Sequence, residues 1–169
     1  MSYGIAVQVA YDPHNPEHQG RNLHLDATGQ YMVSGEWFEV AKKDSIIKAD
    51  GATRQTFWYC FADPNPPLRN LHLSIPLLAI ADSDNTQDKL NWAWNKDGYL
   101  QKGFERICTV TADLSGLRGA LIKKTSTKVY YQLDFFIALH LGGTEINASI
   151  EWTEKVGNPW ARKARNSFR

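Results

Sequence analysis

The chain has little of what usually staples a small protein together or sends it to a membrane. It holds only two cysteines, Cys60 and Cys108, in 169 residues. Two are too few for a disulfide framework, and both sit in apolar runs, as buried free thiols do. Charge of one sign is missing too. The formal net charge is +1, which argues against nucleic acid as a partner, since no whole-molecule field would draw it in. The longest apolar runs, around Ile75 to Ala81 and Phe135 to Leu139, fall far short of the roughly 20 residues that a membrane-spanning helix needs. Met1 to Gln8 has neither the basic start nor the apolar stretch of a secretory signal, and Ser2 breaks the myristoylation pattern. The expected location is therefore the cytoplasm, or outside the cell by export without a classical signal peptide. On that expectation the glycosylation-type string Asn147-Ala148-Ser149 is a chance match.

Helical periodicity is scarce as well. Before residue 158 no 11-residue window with apolar residues at i, i+3, i+4 and i+7 competes with the strand pattern. What the chain does have is aromatic residues, 12% of the total with six tryptophans, set into runs that alternate with a period of two. Ile5 to Tyr11, Asn22 to Ala27, Gln30 to Val40, Gln55 to Ala62, Leu71 to Ala81, Lys89 to Trp94, Tyr99 to Asp113 and Leu117 to Lys123 all read as strands. Turn residues separate them, among them Asp63-Pro64-Asn65-Pro66-Pro67 and Asn95-Lys96-Asp97-Gly98. The Gln55 to Ala62 run is apolar on both faces, which predicts a central, doubly covered strand. Pro76 removes a ladder donor, which predicts a bend, an edge or a crossing between sheets.

The longest pattern is the hairpin from Lys128 to Lys155. Two glycines, Gly142 and Gly143, stand between its alternating arms, and glycine reaches the positive φ of tight hairpin turns without steric cost. A turn centred on them pairs Leu141 with Thr144 and, further out, Asp134 with Glu151. One face then carries Leu133, Phe135, Ile137, Leu139, Ile146, Ala148, Ile150 and Trp152, an apolar surface that must meet a core. Nine or ten such strands predict an all-β fold, an antiparallel β-sandwich or alternatively a closed β-barrel, as a single β domain over residues 1–157.

Residues 158–169 form a tail of different character. Five basic side chains and no acids lie between Lys155 and Arg169, leaving 14 basic and 18 acidic residues in the remainder. Asn158-Pro159 followed by Trp160, Ala164 and Phe168 predicts a short basic helix with one aromatic stripe. Docked by Trp160, it covers the sheet. Facing outward, Arg162, Lys163, Arg165 and Arg169 meet an anionic surface or a neighbouring copy.

Four constellations bear on function. His14-Asn15-Pro16-Glu17-His18 spells an inverzincin-type string, but Pro16 prevents the helix that would bring both histidines to one metal. Asp82, Asp84 and Asp88 fall in an oxygen-rich loop that suits calcium weakly, because glycine and the bidentate glutamate of a calcium-binding loop are absent. No metal or other cofactor is otherwise implied. Asp134 facing Glu151, with His140 nearer the tip, forms an acid–base couple if that face lines a cavity and two hydrated charges if it does not. Trp92 and Trp94 share one strand face between Asn91 and Asn95, and rings with amides beside them suit a sugar, stacking on its ring while bonding its hydroxyls. A pentapeptide also recurs, Arg21-Asn22-Leu23-His24-Leu25 and Arg69-Asn70-Leu71-His72-Leu73, marking two equivalent strands.

These features point first to a non-enzymatic binding protein with carbohydrate as ligand, lectin-like or of a defence type. The alternatives are a self-assembling or pore-forming subunit, a homo-oligomer using its basic tail, and a small barrel isomerase, cyclase or hydrolase using the paired carboxylates.

Overall fold

The computed structural model describes residues 1–42, 51–81, 91–142, 145–152 and 165–167. Ten strands follow in order: β1 Ser2–Ala10, β2 His24–Leu25, β3 Tyr31–Lys42, β4 Ala52–Phe61, β5 His72–Ile80, β6 Phe104–Asp113, β7 Ile122–Thr125, β8 Val129–Gly142, β9 Glu145–Glu151 and β10 Arg165–Ser167. They form two open antiparallel sheets, ordered β2-β3-β1-β5-β6 and β10-β9-β8-β4, with β7 also pairing with β8. This is the sandwich, not the closed barrel. Among the described residues no helix is long and apolar enough to cross a membrane.

The principal core lies between the sheets because alternation gives each one apolar face. Tyr3 and Ile5 of β1, Leu73 and Leu77 of β5 and Val110 of β6 meet Leu133, Phe135, Ile137 and Leu139 of β8 and Ile150 of β9. A second, smaller core builds on Leu78, Ala93 and Phe104, with Trp37, Trp94 and Leu100 packed against it. It exists because the 91–101 segment folds over β3. Ala93 N donates to Gly35 O at 2.8 Å and Trp37 N to Asn91 O at 2.9 Å. Gly35 has φ +105°, and a Cβ there would stand 2.9 Å from that of Trp94, so the overlay needs glycine.

Several expectations hold. The expected turn at Asn95 to Gly98 is present, with Gly98 N donating to Asn95 O at 3.1 Å. Pro76 does lie on a locally free edge: β1 pairs with β5 only from Leu78 to Ile80, and a bulge falls between Leu77 and Leu78. The missing donor at Pro76 therefore costs no ladder bond on the β1 side.

Others are corrected. The hairpin register differs by two residues: Gly142 pairs with Glu145 and Phe136 with Glu151. A slip of two keeps every side chain on its predicted face, so the core is unchanged, but each cross-strand partner is new. Strand β4 is an edge strand of its sheet, not a central one. Leu117 belongs to a 3-10 turn, Ser115–Ala120, ahead of β7. In the tail, Arg165–Ser167 pairs with β9 as a strand, so the predicted helix does not run through these residues. Arg162, Lys163 and Arg169 lie outside the described residues.

The two copies of the pentapeptide both end in a strand start, but they are not equivalent. Leu71 and Leu73 are buried, whereas Leu23 and Leu25 are about half exposed.

Candidate functional site

Strand β4 carries Phe57, Trp58, Tyr59, Cys60 and Phe61 in succession, and its outer edge has no partner strand among the described residues. Opposite it stand residues of β1, β2 and β3. The gap between them is a cleft of about 620 Å³, within the size range of small-molecule sites.

An aromatic ladder crosses this cleft. Phe57 and Phe135 are direct cross-strand partners and stack at 6.1 Å, while Phe38 of β3 meets Phe57 edge-to-face at 5.2 Å. Ring edges on ring faces are favourable because the aromatic quadrupole pairs a positive edge with a negative face. Trp58 and Tyr59 stand at the mouth, 64% and 46% exposed. Large rings left this open on an edge strand are unusual unless something covers or uses them.

Polar groups line the same space. Glu36 is opposite Val7 in the β1–β3 register, which puts it on the face of Ile5 and Phe38, toward the cleft. Among the described residues its carboxylate has neither an ion pair nor a hydrogen bond. Asp26 caps its own turn, with Oδ1 accepting from Thr28 N, Thr28 Oγ1 and Gln30 N at 2.7 to 2.9 Å. His24 of β2 lines the cleft too, and its Nε2 is buried with no hydrogen-bond partner. Such a nitrogen is costly to leave unpaired, so the site favours a ligand that satisfies it. Burial pushes the Cys60 thiol pKa up, Asp26 and Asp134 adding to the rise and Lys124 opposing it. The thiol stays protonated and is a poor nucleophile.

On the other side of β2 lies a hollow of about 460 Å³, lined by Asn22, Ser34, Trp94, Asn95 and Lys96 and again by His24. The predicted sugar site divides here. Trp94 and Asn95 reach the hollow, whereas Trp92 is buried at 4% exposure. Trp92 lies under the Arg21 guanidinium, 3.5 Å from ring centroid to Cζ, with His18 edge-on at 5.5 Å. Arg21 also donates to Glu17 O at 2.8 Å and Trp94 O at 2.9 Å. Trp92 is thus a structural anchor. Asn91 holds β3 through its carbonyl, and the Asn95 Oδ1 accepts from Asp97 N and Tyr99 N, which commits it to the turn.

The remaining sequence candidates come apart. Asp134 is exposed opposite Trp58, while Glu151 sits opposite Phe136 and pairs with Arg54 at 2.8 Å. They form no acid–base couple, because the two-residue register difference moves them past each other and Arg54 neutralises one. His140 pairs in register with Ala52 and Asn147, away from both. His18 is buried, and its Nδ1 accepts from Asp12 N at 2.9 Å, which ties the Asp12 loop rather than offering a metal ligand. Asp82, Asp84 and Asp88 lie outside the described residues. Among those described, no three His, Cys, Asp or Glu side chains gather as a metal site.

Sequence reasoning missed Glu36, Phe38, Phe57 and Trp58. The signal was present in β4, whose aromatics on both faces fit an exposed edge beside an opening as well as a covered centre. Comparison with protein-family models, curated sequences and solved structures gives no match for this chain.

Proposed function

We infer that the protein is a non-enzymatic binding protein that takes a small amphipathic molecule into the cleft between its sheets. The observation that carries this reading is the Phe38, Phe57, Phe135 ladder, open to solvent past Trp58 in a space of about 620 Å³. Apolar walls with a few polar groups are the usual composition of a small-molecule site, the walls supplying affinity and the polar groups orientation. The test is a titration with the neutral dye N-phenyl-1-naphthylamine. The wild type is expected to show a saturable fluorescence rise with one site per chain. Leu25→Trp, filling the mouth from a half-exposed position on β2, is expected to abolish it. No saturable rise, or an equal rise in Leu25→Trp, would contradict the reading.

A second reading, carbohydrate at the neighbouring hollow, is favoured by one observation. Trp94 shares that hollow with Asn22, Ser34 and Lys96, a ring with hydrogen-bonding groups beside it. A glycan array distinguishes the two: sugar binding lost in Trp94→Ala and retained in Leu25→Trp supports the hollow.

A further inference from the structure

The charge of the cleft says what kind of amphipathic molecule fits it. Its lining includes two carboxylates, Asp26 and Glu36, and among the described residues no lysine or arginine. The Asp26 carboxylate caps a turn through one oxygen, Oδ1, which accepts all three of its side-chain bonds. After burial itself, it adds to the rise of the Cys60 thiol pKa. Glu36 is the more telling group. The charged form of a carboxylate that faces a half-enclosed aromatic space, with no cationic partner among the described residues, is unfavourable unless water or a ligand supplies the counter-charge.

The rings add to the same polarity. Phe38, Phe57, Tyr59 and Phe135 lie on the inward faces of their strands, and Trp58 stands at the mouth. The face of an aromatic ring is negative and attracts an organic cation, most strongly where water is partly excluded. An anionic ligand meets the opposite situation, with two like charges, His24 as the one basic side chain in the lining and ring faces that repel it. A neutral ligand gains the apolar contact alone.

The geometry points to an organic cation as the ligand: an apolar body on the Phe38, Phe57, Phe135 ladder, with an ammonium group between those rings and the Glu36 carboxylate. This rests on the reading of the cleft as a ligand site and adds its chemical class. Glu36 is the specificity-determining residue, because it is the lining carboxylate that no bond among the described residues engages.

The test uses three matched probes on the intact chain, followed by calorimetry: benzyltrimethylammonium, benzyl alcohol and phenylmethanesulfonate. The ammonium is expected to bind at least about tenfold tighter than the other two, the scale of one partly desolvated cation–π contact plus an ion pair. Glu36→Gln is expected to remove most of that preference while leaving benzyl alcohol binding unchanged. Added salt is expected to weaken the ammonium alone. If the sulfonate or the alcohol binds as tightly as the ammonium, the cation is wrong and the cleft reading stands. If the ammonium preference survives unchanged in Glu36→Gln, the role of Glu36 is overturned. If none of the three probes binds, both the cleft reading and this inference fail. The thermal midpoint of Glu36→Gln, expected near the wild type because no bond among the described residues uses its carboxylate, separates a binding defect from a folding one.

Discussion

Arg21→Ala should destabilise the protein by about 3 kcal/mol, for reasons that can be counted. The guanidinium is buried at 8% exposure, stacked on Trp92 and bonded to Glu17 O and Trp94 O. A partly desolvated cation–π contact contributes about 1–2 kcal/mol. Hydrogen bonds to a charged donor contribute roughly 1.5–3 kcal/mol each. Against these stands the cost of burying the charge, visible in the lowering of the Arg21 pKa by burial, which Glu17 partly opposes. Taking roughly half the gross sum as cancelled by that cost leaves about 3 kcal/mol. The loss should fall on the contact between the loop of residues 12–21 and the 91–101 segment. Urea denaturation followed by tryptophan emission reads it as a lower midpoint at unchanged slope, provided that different probes give coincident transitions. Arg21→Lys should recover less than half, because an ammonium cannot bond two carbonyls in one plane while covering the ring. A loss under about 1 kcal/mol, no more than an exposed contact is worth, would show that Trp92 is not anchored in this way.

Gly4→Ala should cost about 3 kcal/mol or more, because a Cβ there collides with the Phe38 carbonyl oxygen and reaches Trp37 at 2.7 Å; chemical denaturation measures it. Arg54→Met and Glu151→Gln should show a coupling of about 1 kcal/mol in a double-mutant cycle, since the pair is only partly shielded from water. A coupling of zero would contradict the Arg54–Glu151 pair. Burial raises the thiol pKa of both Cys60 and Cys108. A raised folded-state pKa means their contribution is complete below the unfolded cysteine range and is lost as pH rises through the folded values. Stability should therefore decline above about pH 9, and thiol labelling at pH 8 should be much slower in the native protein than in urea. Equal labelling rates would contradict the burial of Cys108 and the partial burial of Cys60.

How much of this was legible in the sequence depends on which quantity alternation encodes. The faces of the long hairpin were readable, and Leu133, Phe135, Ile137 and Ile150 are core residues as the pattern required. The partners were not, because a two-residue slip leaves the alternation intact while replacing the Asp134–Glu151 pair by Phe136–Glu151. The ion-pair partner of Glu151 is Arg54, distant in sequence, and nothing near the hairpin announces it. In β4 the difficulty was different. Aromatics on both faces are compatible with two covered sides or with one covered side and a cleft, and strand order alone separates these. Glu36 was hidden by a bulge: Val7 pairs with Glu36 but Gln8 with Ser34, so Gly35 interrupts the register and sets which face the glutamate takes. The tryptophan pair failed as a unit because the Asp12 to Arg21 loop, which reads only as polar, supplies the lid over Trp92.

The central claim is that the cleft bounded by β1, β3 and β4 is the ligand site. Amide chemical-shift mapping of the full chain titrated with benzyltrimethylammonium tests it most directly. The account predicts saturable shifts at Val7, Glu36, Phe57 and Tyr59. Shifts confined to Trp94, Asn95 and Lys96, or no shifts with this probe or with benzyl alcohol, would contradict it.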